Sequence, residues 1–261
     1  MLSKLAALNR PPAPSPGCGA CRDGDGQPFP FSMAFQPIVN ASSQRVFAYE
    51  ALVRGVNREP AYELLRQVTE ENRYAFDQAC RVEAISLAAK LELAKEGAKL
   101  SVNFMPGAVY SPTACIQRTL RAARETGFPL GSLIFEITEN EKVRDTAHLN
   151  AIVTEYRKHG FALALDDFGA GYSGMNLLAE LEVEFVKLDA KLVREIHLRP
   201  RAQDIVHAIV ALAKRLGTTV IGECVEVREE YDVLRDAGVN LMQGYLFAKP
   251  EFKALPTVAW P

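Results

Sequence analysis

From about residue 30 onward, short apolar runs alternate with amphipathic stretches of helical period. Strands buried on both faces read as continuous hydrophobic runs, so this rhythm predicts a sheet wrapped by helices. Two strand-like runs come first, Met33–Val39 and Gln44–Val53, separated only by Asn40-Ala41-Ser42-Ser43. So short a link predicts a hairpin, hence an antiparallel pair. Helices are predicted over Ala61–Val68 and Phe76–Lys95; in the second, Ala84, Ile85, Leu87, Ala88 and Leu91 make an apolar stripe. Alternation then sets in. Strands are predicted at Lys99–Phe104, Leu133–Ile137, Phe161–Leu165, Phe185–Leu188, Thr218–Ile221 and Leu241–Phe247. Helices are predicted between them at Ala114–Glu125, near Ala147–His159, at Met175–Glu180, near Ala202–Leu216 and at Glu229–Ala237. Eight strands, most of them separated by helices, fit a closed parallel barrel or an open α/β sheet. The count favours an α/β fold of the (β/α)8 TIM-like type, with the first strand antiparallel.

The first 30 residues break this pattern. Pro11, Pro12, Pro14, Pro16, Pro28 and Pro30 alternate with Gly17, Gly19, Gly24 and Gly26, a composition that predicts an arm or linker. Two regions are therefore expected, an arm over 1–30 and a barrel domain over 31–261. The five cysteines form no secreted framework, and Cys18-Gly19-Ala20-Cys21 alone cannot complete a four-ligand zinc site. A formal charge of −2 speaks against a partner such as a DNA or RNA polymer. No run reaches the length of a membrane span, and the first residues lack a secretory leader, so the cytoplasm is the expected location.

Chemistry gathers where the predicted strands end. Glu50 and Arg54 close the second strand, and Asn103 the third. Glu136 and Glu139 follow on the next, then Asp166-Asp167, Lys187 with Asp189, Glu223 with Glu226, and finally Gln243. In a barrel those ends form one face, where active sites lie. Taken alone, Asp166-Asp167-Phe168-Gly169 fits a capped turn before a helix equally well. Adjacent strand residues point to opposite faces, so the two aspartates are expected to converge only beyond the strand's end. Several carboxylates in one pocket repel one another and need cations. Oxygen ligands suit hard ions such as magnesium or manganese, and the four histidines fall in predicted helices or loops, away from the strand ends. The residues thus point to a carboxylate-bound metal site of two ions, which can clamp an in-line phosphoryl displacement. They do not name a substrate.

The series Gln36-Pro37-Ile38, Glu50-Ala51-Leu52-Val53-Arg54, Asn103, Glu136-Ile137-Thr138-Glu139, Asp166 to Ser173, Lys187-Leu188-Asp189, Glu223-Cys224-Val225-Glu226 and Gln243-Gly244-Tyr245 stands in fixed order between Met33 and Pro250. It resembles the EAL family of cyclic di-GMP phosphodiesterases. That resemblance implies a metal-dependent hydrolase that opens cyclic di-GMP to linear pGpG with Mg2+ or Mn2+, two per active site. Glu50, Asn103, Glu136 and Asp166 would hold one ion, and Asp166, Asp167 and Glu223 the second. Lys187 would orient the attacking water, with Glu223 also a candidate base. Gln36, Leu52, Arg54, Asp189 and Gln243 would line the substrate. Glu139 and Glu226 would support the glycine-rich loop, and a homodimer is expected.

Blander readings stand beside these. Glu139 and Glu226 each precede a helix and suit its first turn; Arg54 could make a structural ion pair; Lys187 could be a surface lysine. Against the usual family pattern, Ala170 replaces a threonine, Gly174 a serine and Cys224 a glycine, and Asn103-Phe104-Met105-Pro106 differs in its middle. No expected ligand is missing. A cyclic di-GMP receptor that signals through a protein partner without turnover is the alternative from another class. A scaffold that uses the cysteine-bearing arm as its contact is a third.

Overall fold

The computed structural model describes residues 28–138, 146–171 and 174–261. The cysteine pair of the arm and Glu139 lie outside them.

Nine strands form one sheet, and the first eight close it. β1 (Phe31–Asn40) and β2 (Arg45–Gly55) are the predicted hairpin, paired antiparallel over their whole length. The Asn40 carboxamide accepts from the Ser42 and Ser43 amides, and Gln44 takes a left-handed φ of +50°. That side-chain turn replaces a glycine-based one. β3 (Lys99–Asn103), β4 (Leu133–Thr138), β5 (Ala162–Phe168), β6 (Phe185–Leu188), β7 (Thr219–Gly222) and β8 (Leu241–Gln243) run parallel from β2, in order. β8 then pairs antiparallel with β1, and the barrel is closed with one reversed strand.

The helices pack outside. They are α1 (Ala61–Leu65), α2 (Arg73–Lys90), α3 (Pro112–Thr126), α4 (Thr146–Lys158), α5 (Gly174–Glu180), α6 (Ala190–Val193), α7 (Pro200–Leu216) and α8 (Arg228–Asp236). α3 begins on a Ser111 cap with proline behind it and stops at left-handed Gly127; α7 likewise stops at Gly217. No helix among the described residues is long and apolar enough to cross a membrane. Phe29, assigned by composition to the arm, stacks on Phe76 with ring centroids 5.3 Å apart.

Several elements differ from expectation, among them an unforeseen α6 and a first helix that ends at Leu65 rather than Val68. The helix predicted to run to Lys95 ends at Lys90, because Glu92 turns left-handed (φ +54°) and starts a 3-10 turn that buries Leu93. Nothing in Leu91–Lys95 breaks a helix locally, so burial of Leu93 overrode propensity. The last strand stops at Gln243 rather than Phe247. A Cβ on Gly244 would sit 2.0 Å from the Val225 carbonyl oxygen, and the chain turns there, with Phe247 and Ala248 donating to the Gly244 carbonyl. A short β9 (Glu251–Phe252), unforeseen, adds to β1.

Inside the barrel the residues stack in layers. Ile38, Ala48, Ile134, Ala164, Phe185, Ile221 and Leu241 form a sealed apolar plug. Two residues further along the parallel strands, on the same face by strand alternation, come Glu50, Glu136, Asp166, Lys187, Glu223 and Gln243. On the reversed strand the count runs backward, and Gln36 stands two residues before Ile38.

Candidate active site

That polar layer is tightly knit. The Lys187 ammonium, wholly buried, lies 2.7 Å from a Glu223 carboxylate oxygen and 2.8 Å from Glu136. Asp166 follows at 3.2 Å and Glu50 at 3.3 Å. The surface-lysine reading of Lys187 is therefore wrong. Glu50 also accepts from the Asn103 carboxamide at 2.8 Å and from Gln243 at 2.9 Å. Gln243 in turn donates to Gln36 at 3.3 Å, and Gln36 to the Ala248 carbonyl at 3.2 Å.

Asp167 joins this group by a route different from the expected one. The strand does not end before the aspartates; it continues through Phe168. Between Leu165 and Phe168 the pairing with β6 slips by one residue, and Asp167 adopts φ +54°. This bulge lets neighbouring side chains point to one side. Oxygens of Asp166, Asp167 and Glu223 consequently all lie within 4.8 Å of one another. A second left-handed residue, Cys224 (φ +53°), follows Glu223 where the chain swings back, so that Val225 donates to the Gln243 carbonyl. Backbone strain thus sits beside two of the carboxylates that touch Lys187.

Charge in this pocket is unbalanced, with five carboxylates facing one ammonium. Burial pushes the Glu136 carboxyl up to about 8, helped by the nearby Glu50 charge. Burial and Asp166 push Asp167 up to about 6. Glu223 is raised well above the ordinary carboxylate range by burial, against the pull of Lys187. Glu50 is instead lowered: the Lys187 charge and the hydrogen bonds from Gln243 and Asn103 outweigh its burial. Lys187 stays charged despite its burial because Asp166, Glu136, Glu223 and Glu50 surround it. Groups that would bind protons for want of positive charge are suited to divalent cations. The donors are all-oxygen, and the Asp166, Asp167 and Glu223 set has ligand spacing. The residues present fit such ions.

The remaining candidates take varied positions. Leu52 and Arg54 lie half-buried two and four residues beyond Glu50, and the Arg54 guanidinium donates to the Val53 carbonyl at 2.7 Å. No carboxylate among the described residues forms a salt bridge with Arg54. Asp189 accepts from the Lys191 amide at 2.8 Å as the cap of α6, outside the Lys187 cluster. Glu226 is ion-paired to Arg194 at 3.4 Å on the rim. Ser101 was missed: its hydroxyl donates to Glu136 from full burial. Its position two residues before Asn103, on one strand face, was the available signal. The Cys224 thiol is half-buried and pushed up to about 11 by burial and Glu223, so it is not a ready thiolate.

Residues 30–250 match the EAL domain family. The chain belongs to that family. A standalone EAL protein from Vibrio cholerae O395, solved with cyclic di-GMP bound, superposes with a TM-score of 0.86 at 50% identity, covering 90% of this chain and 98% of that one. BlrP1 from Klebsiella pneumoniae, in a manganese and cyclic di-GMP complex, superposes with a TM-score of 0.84 at 33% identity, over 89% of this chain and 59% of that one. Among curated relatives, the cyclic di-GMP phosphodiesterase PA2567 of Pseudomonas aeruginosa is 27% identical over 84% of this chain and 38% of its own length. BluF of Escherichia coli, a blue light- and temperature-regulated antirepressor, is 28% identical over 87% of this chain and 56% of its own. The EAL chain thus spans about half or less of these two curated proteins.

Proposed function

We propose that the protein is a metal-dependent phosphodiesterase that hydrolyses cyclic di-GMP to linear pGpG. One observation carries this reading: five carboxylates and one buried lysine meet at the carboxyl end of a barrel, with an excess of negative charge that only cations can offset. Glu50, Asn103, Glu136 and Asp166 would hold one ion. Asp166, Asp167 and Glu223 would hold the other, with Asp166 shared. Divalent cations held by these residues would lower the pKa of a water and offset the phosphodiester charge. Lys187, held rigidly by its four carboxylates, hydrogen-bonds and orients that water for in-line attack on phosphorus. Glu223, beside the ion site, would take the water's proton. Arg54, without a carboxylate partner among the described residues, grips a phosphate oxygen pair. Gln36, Leu52 and Gln243 line the substrate below it, and Asp189 at the rim; Glu226 and Glu139 support the loops. One phosphodiester opens, leaving a free 3′-hydroxyl and a terminal 5′-phosphate.

The name of the antirepressor relative favours a second reading, a receptor that binds the dinucleotide and acts through a protein partner. Incubating purified protein with cyclic di-GMP and Mn2+ or Mg2+, followed by chromatography, separates the two. Conversion to linear pGpG supports the enzyme. Tight binding with the cyclic dinucleotide recovered intact supports the receptor.

A further inference from the structure

Behind the wall that carries Asn103 and Glu136 lies a second buried ionic cluster with no part in the chemistry above. Arg81 of α2 is fully buried and donates to Asp77, one turn earlier, and to the Tyr156 hydroxyl of α4, each at 2.5 Å. The other Asp77 oxygen accepts from the Met105 amide at 2.8 Å. The guanidinium also lies 5.1 Å from the Phe104 ring centroid, 5.5 Å from Phe135 and 5.7 Å from Tyr156. Its Nε, buried, has no hydrogen-bond partner.

The neighbours of these rings matter. Phe104 directly follows Asn103, and Phe135 directly precedes Glu136. Strand alternation turns each ring out of the barrel where its neighbour points in. Both rings belong to the outer core, whereas Ile134 belongs to the plug inside. The strands are joined above this point, since Phe104 donates to the Glu136 carbonyl at 3.2 Å. One planar cation therefore backs the ends of β3 and β4, and its carboxylate partner tethers the next residue of the β3 loop, Met105. A buried pair of this kind contributes little stability against apolar groups of equal volume, and the partnerless Nε detracts further. What it supplies is fixed geometry, because a guanidinium held by ring faces and hydrogen bonds has few alternative placements.

We infer that Asp77, Arg81 and Tyr156 are positioning residues that hold Asn103 and Glu136 in metal-binding register. This rests on the proposed ion site, and its test reads metal affinity without substrate. Mn2+ titration calorimetry at pH 8 compares the wild type with Asp77→Leu/Arg81→Met and Asp77→Asn/Arg81→Met. The first double variant keeps its melting temperature, binds Mn2+ about tenfold or more weakly, and exchanges its Met105 amide proton faster. The second restores an acceptor for that amide, so its exchange slows again, but it lacks the guanidinium behind Phe104 and Phe135 and binds Mn2+ as weakly as the first; wild-type affinity in it overturns the role of Arg81. A folded leucine/methionine variant with wild-type Mn2+ affinity overturns the inference. Should that variant not fold, Tyr156→Phe removes only the hydroxyl partner of Arg81; a roughly two- to threefold weaker affinity is expected at the low end of such supporting effects, and an unchanged one overturns the inference. Failure of the wild type itself to bind Mn2+ would strike the ion site instead, so the two failures are distinguishable.

Discussion

Two cations are wholly buried among the described residues, and they keep different company. Arg81 faces one carboxylate, one hydroxyl and three aromatic rings, a pair in balance. Lys187 faces four carboxylates within 3.3 Å, with Asp167 beside them. The first arrangement is neutral as folded, although the buried Arg81 Nε has no partner. The second carries more negative charge than its lysine can offset; burial raises the proton affinity of Glu136, Asp167 and Glu223, as it does that of Asp77, and neighbouring carboxylates add to it only in this second cluster. Similar burial therefore serves opposite ends: a balanced pair fixes geometry, and an unbalanced one creates demand for further cations.

The largest effect that tests this contrast is on turnover. Glu50→Ala, Asp166→Ala and Glu223→Ala should each lower hydrolysis by about 10²–10³-fold or more while the protein stays folded. Exhaustive chelation should abolish it, and full activity at zero metal content by elemental analysis would remove the two-ion proposal. Next comes stability. Asp77→Ala strands a buried guanidinium and should cost about 3–5 kcal/mol in urea unfolding, whereas Glu136→Gln replaces a carboxyl that burial already holds toward its neutral form and should leave the metal-free protein as stable or more so. Equal losses would erase the distinction between the clusters.

A smaller effect is expected from pH. Glu136, raised to about 8 in the folded state, binds a proton there that the unfolded chain releases near the ordinary carboxylate value. Between those values the native state holds more protons, so metal-free stability falls as pH rises from about 4.5 through 8. Melting temperatures of the metal-free protein should decline over that window, and Glu136→Gln should flatten the decline. Mn2+ affinity should rise over the same window, because ligation displaces the proton. The smallest effect concerns Cys224, whose left-handed φ of +53° suits glycine. Cys224→Gly should stabilise the protein by about 1 kcal/mol, read as a higher urea midpoint; an unchanged or lower midpoint would show that packing of the thiol outweighs the strain.

Much of this was legible in the chain. Apolar period and the short Asn40–Ser43 link gave the barrel with its reversed strand, since strand burial and hairpin closure act over a few residues. Carboxylates and a lysine at successive strand ends announced the site, because a parallel barrel gathers those ends on one face. Less legible was Ser101, an ordinary strand residue until the register set it against Glu136. Asp77 and Arg81 stood at helical i, i+4 spacing on the same stripe as Ala84, Ile85 and Ala88. Even so, the sequence could not reveal that the stripe is buried beneath Phe104 and Phe135.

The amino-acid sequence alone determined the eight barrel strands and the main helices between them, their order, and which residues can reach the open end of the barrel. It did so through local rules: alternation, caps and turn chemistry. Only the tertiary structure decided how Asp166 and Asp167 come to share a side, through a one-residue slip against β6 within a continuing strand. It also decided that Lys187 sits at the centre of four carboxylates rather than near one. Those outcomes depend on the stagger between neighbouring strands and on burial, which are properties of the closed barrel and of no single segment.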